Sequence, residues 1–278
     1  MTLYAQQRCR YGTMLFNSND EFVGRSLLLY GEWSEPEPFL FAQVVREGDT
    51  VVEAGANIGS HTVMLSRAVG ERGTVYALEP QRHTFQLLCA NLALNQRLNV
   101  RALQCAVGDA EGTVSFPVFD PRSPNNFGAS SLLGANLDTE PVPLRTLDSL
   151  DLPRVDFLKA DVEGFEPNLI RGARDTLRRH RPIVYLEYLN HYTGDGSKAF
   201  LESFAALDYR VWYFITPVFN RLNFLGNPEN VFDGIWSFDL VCIPRERGEM
   251  HGLVEVTPDN EGVCVDPDTW RRVRFAPA

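Results

Sequence analysis

From residue 49 onward, short β-branched runs alternate with helix-length amphipathic segments, and this alternation is what most restricts the fold. Residues 49–54, 74–78 and 100–107 have the strand pattern, while residues 60–69 and 81–95 between them have helical periodicity. Strands that alternate with helices of this length are joined by right-handed crossovers and form a mostly parallel sheet. The chain is therefore predicted to belong to the α/β class.

The same alternation continues toward the C-terminus. Further strands are predicted at residues 112–119, 140–150, 155–160, 183–186, 209–215 and 238–243, and helices at 36–46, 166–180 and 197–207. The stretch 140–150 is predicted to include a short turn after its strand. We expect a doubly wound, mostly parallel seven-stranded sheet with helices on both faces.

The sequence predicts one main domain with two extensions. Residues 1–48 are expected to form an N-terminal helical segment that packs on the core near the ligand. Residues 49–245 form the core, and residues 246–278 form a C-terminal extension. Two polar or aromatic stretches, 120–136 and 216–236, are predicted to be substrate-side loops. The alternative for the second stretch is that its aromatic residues close the lower part of the core.

The composition restricts partners and compartment. The chain of 278 residues has 26 basic and 36 acidic residues, a net charge of −10. This balance argues against nucleic acid and against anionic membranes, which both attract basic surfaces. No apolar stretch approaches the roughly 18 residues of a membrane span. Five cysteines without a C-x-x-C pair, and a polar start, predict a cytoplasmic protein. The oligomeric state is left open, a homodimer included.

The turn after the strand at 49–54 is the first candidate ligand site. Gly55 permits close approach of the backbone, Gly59 lets the next helix start tightly against the sheet, and Ser60 can cap it. The spacing is G-x-x-x-G, without the middle glycine of the dinucleotide fingerprint G-x-G-x-x-G. Glu53 would repel a diphosphate but would tolerate a cationic ligand such as S-adenosylmethionine, which carries a sulfonium and an ammonium group.

A second acid ends the next strand. Glu79 follows Glu53 by 26 residues, and a carboxylate at this strand end suits hydrogen bonds from two ribose hydroxyls. The alternative is that the glycine turn serves packing alone.

Five motifs together resemble the class I S-adenosylmethionine-dependent methyltransferases, and most closely the FkbM-type family. They are VEAGANIGSH at 52–61, EP at 79–80, AVGD at 106–109, LDSL at 147–150 and KADVEG at 159–164. The resemblance covers about residues 30–245 and implies a Rossmann-like fold. The family often has Asp at the first acid, so Glu53 is a variation.

The resemblance also implies which residues bind the cofactor. The residues from Glu53 to Ser60 would hold its methionine part, Glu79 its ribose, and Ala106 would lie near the adenine. Glu35 would lie close to it, although a charge on a solvated helix start is the alternative. The full implied set is Glu35, Glu53, Gly55, Ala56, Asn57, Gly59, Ser60, Glu79, Pro80, Ala106 and Asp161.

Candidate catalytic groups follow the strand at 155–160. Lys159, Asp161 and Glu163 alternate along it and would project to one side. Asp161 follows apolar residues and is expected to be partly desolvated, which suits a general base unless Lys159 opposes the effect. Alternatively Lys159 and Asp161 form only a pair, and Glu163 caps the next helix.

The strand at 183–186 adds Glu187 and His191. Both can face the substrate, and a histidine is a common proton acceptor near neutral pH. In another interpretation, Asp161 and Glu187 join Asn190 or His191 around a divalent cation, for which Mg²⁺ would suit the oxygen ligands.

These observations predict an S-adenosylmethionine-dependent methyltransferase. Its acceptor would be a hydroxyl of a small molecule such as a sugar or a secondary metabolite, and this choice comes from the resemblance. The alternatives are a nicotinamide-dependent oxidoreductase of similar fold, an N-methyltransferase, and a binding module without catalysis. A nucleic-acid methyltransferase is disfavoured by the net charge and by the absence of an Asn-Pro-Pro-Tyr-type turn.

Overall fold

The computed structural model describes residues 2–128, 138–188, 195–257 and 269–278, with the backbone alone over 195–199. The strands of the described chain are β1 (Tyr4–Arg8), β2 (Thr13–Asn17), β3 (Thr50–Ala54), β4 (Thr74–Leu78), β5 (Val100–Leu103), β6 (Ala106–Val107), β7 (Gly112–Pro117), β8 (Thr139–Arg145), β9 (Phe157–Ala160), β10 (Ile183–Glu187), β11 (Tyr209–Pro217), β12 (Trp236–Pro244), β13 (Gly248–His251), β14 (Val254–Glu255) and β15 (Arg274–Pro277). The helices are α1 (Val23–Tyr30), α2 (Pro36–Val44), α3 (Thr62–Val69), α4 (Arg82–Leu94), α5 (Glu166–Arg171), α6 (Arg174–His180) and α7 (Asp195–Ala205).

The central sheet confirms the predicted α/β fold with a mostly parallel sheet. Its strand order over the described residues is β14-β11-β12-β10-β9-β3-β4-β5. The strands from β10 to β5 are parallel to one another. Beyond β10 each neighbouring pair is antiparallel, so β12 and β14 run opposite to the parallel strands and β11 runs in the same direction as they do. The seven predicted strands are all present, and the eighth, β14, has two residues and gave no sequence pattern. The order reverses between β3 and β9, and open α/β sheets bind ligands at such a point.

Helices cover both faces of this sheet, as the pattern predicts. On one face, α2 and α3 bury Phe41 and Leu65 against strand residues such as Val51 and Phe157. On the other face, α5, α6 and α7 pack over a second cluster that includes Leu158. Since every central strand is buried on both faces, the strands consist largely of consecutive apolar residues.

Two predicted elements are each divided in the structure. The strand predicted over 100–107 ends at Leu103, and Ala106–Val107 leaves the sheet to pair with β8, which also pairs with β7. The helix predicted over 166–180 breaks at Gly172, where an added Cβ would lie 1.9 Å from the carbonyl oxygen of Gly108. Apolar periodicity does not register such close backbone approaches.

The segment 1–48 is not helical throughout. A β-hairpin of β1 and β2 precedes α1 and α2. The hairpin is fixed to α4, because Asn91 and Asn95 each accept a backbone hydrogen bond from β2, from Leu15 at 2.7 Å and from Thr13 at 2.9 Å. Among the helices described, none combines the length and the hydropathy that a membrane-spanning helix needs.

Candidate functional site

A cavity of about 290 Å³ opens at the carboxyl ends of β3, β4, β9 and β10, beside the reversal of strand order. Its lining includes nine of the residues implied to bind the cofactor, namely Glu53, Gly55, Ala56, Asn57, Ser60, Glu79, Pro80, Ala106 and Asp161. Of the predicted catalytic residues, Asp161, Glu163 and Glu187 also line it, and His191 lies outside the described residues. Gly59 and Glu35 do not line it.

The turn from β3 to α3 has left-handed backbone at three positions. Gly55 has φ +81°, Asn57 φ +51° and Gly59 φ +86°. At Gly55 an added Cβ would lie 1.8 Å from the backbone oxygen of Asp161, so only glycine allows β3 and β9 to approach here. Ser60 does not cap α3, because the helix begins at Thr62 without a side-chain capping bond.

The backbone amides of this turn are all used within the protein. Those of Gly55 and Ala56 donate to Leu78 O at 2.9 and 3.0 Å, and that of Gly59 donates to Ala56 O at 2.9 Å. The amide of Asn57 donates to Oε2 of Glu79 at 2.9 Å, and the amide of Ile58 donates to Oδ1 of Asn57 at 2.6 Å. A diphosphate is normally bound by free amides in such a turn. From residue 55 to residue 59, none is free.

Glu79 is fixed at the end of β4 by two of its neighbours. Its Oε2 accepts the amide of Asn57 and its Oε1 that of Gln81, both at 2.9 Å. A carboxylate offers about four lone-pair sites, so each oxygen can accept one further hydrogen bond. Burial raises the pKa of Glu79 to about 7, against the opposing effect of the two amides.

Glu53 and Lys159 form the buried floor of the cavity. Thr62 donates a hydrogen bond of 2.6 Å from Oγ1 to Oε2 of Glu53, whose residue is 1% exposed. Burial raises the pKa of Glu53 to about 7, although Lys159 acts in the opposite direction. Lys159 donates to Oδ2 of Asp161 at 2.9 Å. Burial disfavours its charged form, but the carboxylates of Asp161, Glu53 and Glu37 outweigh this and raise the pKa of Lys159.

The lining residues that were not predicted as site residues include two buried titratable ones, Glu37 and His61. Nδ1 of His61 lies 3.7 Å from Oε2 of Glu37, and both residues are buried. Burial and nearby Lys159 lower the pKa of His61 to about 3, so its imidazole is neutral. Burial raises the pKa of Glu37 to about 7. The proline on each side of Glu37 was the available signal, because it marks a fixed helix start.

The structure places Glu35 outside the cavity. Its carboxylate accepts a hydrogen bond from Oη of Tyr11 at 2.8 Å and lies 3.4 Å from Nε of Arg10. Glu35 is the residue before α2, and its side chain points to the N-terminal hairpin while that of Glu37 points to the sheet. Side chains two residues apart at the start of a helix point in nearly opposite directions. The sequence pattern did not show which of the two acids, Glu35 or Glu37, faces the cavity.

Asp161, Glu163 and Glu187 come together in the lining of the cavity. One carboxylate oxygen from each lies within 4.8 Å of the others. Glu163 has φ +53° and precedes Gly164 at φ +91°, so the chain turns sharply after β9. Burial, with nearby Asp161 and Glu166, raises the pKa of Glu163 to about 8. Burial, with Asp161 and Glu163, also raises the pKa of Glu187 well above its ordinary range.

Aromatic and aliphatic residues form the remaining wall. Trp33, Trp236 and Phe238 line the cavity, as does Phe127 of the first substrate-side loop. Of that loop, residues 120–128 are described and residues 129–136 lie outside the described chain. The second loop, 216–236, both lines the cavity and packs on α1, where Phe232 meets the ring of Tyr30 edge-on at 5.9 Å.

With the geometry described, comparison with known proteins gives the family. The sequence model of the FkbM methyltransferase domain matches residues 53–211, more than half of the chain. The chain therefore belongs to the FkbM methyltransferase domain family.

The chain is also similar to individual methyltransferases. The chain is similar to Methyltransferase sdnD of Sordaria araneosa, at 30% identity over 173 residues, 60% of this chain and 64% of that protein. It is also similar to Hexuronic acid methyltransferase AglP of Haloferax volcanii, at 26% identity over 141 residues, 50% of this chain and 56% of that protein. The matches thus span less than two thirds of these relatives. Among solved structures, it is similar to the FkbM methyltransferase of Methylobacillus flagellatus KT (TM-score 0.46, 19% identity), covering 74% of this chain and 50% of that one.

Proposed function

We propose that this protein is an S-adenosylmethionine-dependent methyltransferase that methylates a hydroxyl of a small molecule such as a sugar or a secondary metabolite. One observation carries the proposal. In the turn after β3, every backbone amide from residue 55 to residue 59 donates a hydrogen bond to an acceptor within the protein. Glu53 and Glu79 line the same cavity as this turn. Such a site repels diphosphate and attracts a cation, and family membership supports the same choice over a nicotinamide-dependent oxidoreductase.

The residues present fit this cofactor. The lining holds six carboxyl groups, from Glu37, Glu53, Glu79, Asp161, Glu163 and Glu187, and one ammonium group, from Lys159, among the residues described. Glu79 retains acceptor capacity for ribose hydroxyls on both oxygens.

When bound, S-adenosylmethionine supplies an electrophilic methyl group. The protein must then orient an acceptor hydroxyl and take up its proton as the oxygen–carbon bond forms and the sulfur–carbon bond breaks. Asp161 is our candidate base. Lys159 fixes the direction of its carboxylate at 2.9 Å, and 38% of the Asp161 side chain remains exposed to accept a proton.

Calorimetric titration with S-adenosylmethionine tests the first step. We expect binding by the native protein and about tenfold or greater weakening in Glu79→Gln, since charge-assisted hydrogen bonds contribute about 1.5–3 kcal/mol. Glu47→Gln is the matched control, because Glu47 is exposed and pairs with Arg72 on the surface. Absence of binding at millimolar ligand, or equal affinities in the two variants, would contradict the cofactor assignment.

The base is tested by turnover once an acceptor has been found by screening with isotope-labelled cofactor. Asp161→Asn should bind the cofactor with nearly native affinity and turn over about 100-fold more slowly or worse. Unchanged turnover would clear Asp161 of this role. Mass spectrometry of the labelled product distinguishes a methyl ether from a methylamine. A methyl ether supports the proposal, and a methylamine supports the N-methyltransferase alternative.

A further inference from the structure

Three carboxyl groups converge on one point of the cavity wall. Asp161 follows β9, Glu163 lies in the turn after it, and Glu187 ends β10. One oxygen of each lies within 4.8 Å of the others. Ionised carboxylates repel one another at this distance, and either protonation or a bound cation relieves the repulsion.

One carboxyl oxygen of Glu187 lacks a hydrogen-bond partner among the described residues. Although the residue as a whole is partly exposed, its carboxyl group is almost completely buried. Its Oε2 atom is inaccessible to solvent and has no hydrogen-bond partner. Buried polar atoms are nearly always satisfied, and an exception indicates a missing water or ion. This atom belongs to the same carboxyl group that completes the cluster.

The protein itself supplies little positive charge here. Lys159 is engaged with Asp161 at 2.9 Å, and the neutral imidazole of His61 is the other basic side chain in the described lining. Lys159 is therefore the one permanently charged basic residue in the described lining, and it is already paired.

We propose that Asp161, Glu163 and Glu187 bind a divalent cation of the hard, oxygen-preferring class, with Mg²⁺, Mn²⁺ and Ca²⁺ as its members. Ligand oxygens on opposite sides of such an ion are separated by twice the bond length, about 4.2 Å for Mg²⁺ and up to about 5 Å for Ca²⁺. The observed separations have an upper limit of 4.8 Å, which is within the span for Ca²⁺ and exceeds that for Mg²⁺. His191, which the sequence also suggested as a ligand, lies outside the described residues.

The bound cation would hold and polarise the acceptor hydroxyl, and this second part rests on the proposed methyltransferase function. Coordination lowers the pKa of a hydroxyl group, so the cation would share with Asp161 the task of activating the acceptor. Trp33, Trp236 and Phe238 line the same cavity.

Titration of the protein with Mn²⁺, followed by the loss of the free-ion electron paramagnetic resonance signal, tests binding without cofactor or acceptor. We expect one site with a dissociation constant below about 1 mM. Glu163→Gln and Glu187→Gln should each weaken it by about tenfold or more, because each removes a charged ligand. Glu47→Gln, a distant surface change, should bind Mn²⁺ as the native protein does.

Two results would overturn the proposal. One is no Mn²⁺ binding by a protein whose circular dichroism is native, and the other is equal Mn²⁺ affinity in Glu187→Gln and the Glu47→Gln control. Either leaves the cofactor assignment intact if S-adenosylmethionine still binds in the calorimeter. Full turnover after chelation with EDTA, by a protein that does bind Mn²⁺, would remove the catalytic role of the ion.

Discussion

Replacing Gly55 by alanine should separate the two strand ends that form the cavity. In the present structure the added methyl carbon would lie 1.8 Å from the backbone oxygen of Asp161 and 2.8 Å from its carbonyl carbon. Both atoms belong to the backbone, which cannot rotate away as the end of a flexible side chain can. The chain after β9 must therefore move, and Asp161 moves with it.

The magnitude follows from two contributions. Alanine in the left-handed region, at the φ of +81° that Gly55 has, costs about 1–2 kcal/mol. Real contacts of this kind are essentially never shorter than 3.0 Å, so relief requires a shift of at least about 1.2 Å. Shifts of this size in a packed interior typically cost a further 1–3 kcal/mol. We expect Gly55→Ala to lower the free energy of unfolding by about 2–5 kcal/mol.

Gly48→Ala is a matched control for the backbone contribution. Gly48 has φ +88°, and nothing lies within 4 Å of an added Cβ. Urea unfolding of both variants should give a loss of about 1–2 kcal/mol for Gly48→Ala and a clearly larger loss for Gly55→Ala. Calorimetry with S-adenosylmethionine should show native affinity for Gly48→Ala and none, or at least tenfold weaker binding, for Gly55→Ala. Equal losses of stability with unchanged affinity in both would refute the close approach of β3 and β9.

The remaining predictions concern charge in the cavity. Because burial raises the pKa of Glu53 and Glu79 from 4.5 to about 7, the folded protein binds protons that the unfolded chain has released. The stability of the cofactor-free protein should therefore fall as pH rises from about 4.5 to 7, by on the order of 3 kcal/mol per group. In thermal melts, the stability of Glu79→Gln should depend less steeply on pH than that of the native protein. An equally steep dependence would contradict the assignment of this effect to Glu79. Affinity for S-adenosylmethionine should change in the opposite direction, rising from pH 6 to pH 8 as these carboxyls ionise, and calorimetry at both values checks this. Glu163→Gly should raise the free energy of unfolding by about 1 kcal/mol, because glycine accepts the φ of +53° without strain, and a urea melt showing destabilisation would oppose this explanation.

Much of the fold could be predicted because the central strands and helices have strong periodicity. The strand at 74–78 was predicted with its observed bounds, and the helix at 36–46 differs from α2 by two residues at its end. The hairpin at residues 4–17 was missed, because its polar strand β1 is short and its other strand, β2, is held by hydrogen bonds to Asn91 and Asn95, far away in sequence.

The site was predictable only in part. The sequence located four site residues at strand ends, namely Glu53, Gly55, Glu79 and Asp161. Parallel strands that end at one edge of a sheet bring the residues at their ends together, so these four could be predicted to share a site. Glu37 does not lie at a strand end, so this rule could not place it. Its position in the cavity wall depends on how α2 packs across β9 and β10.

The sequence by itself determined the order of strands and helices and the turns where glycine is required. These properties are local, because periodicity and left-handed backbone are set within a few residues. The tertiary structure alone decided that Glu37 faces the cavity while Glu35 faces Tyr11, and that Glu163 meets Glu187. Such choices depend on which distant surfaces exclude water from a carboxyl group, and burial of this kind exists only after the chain has packed.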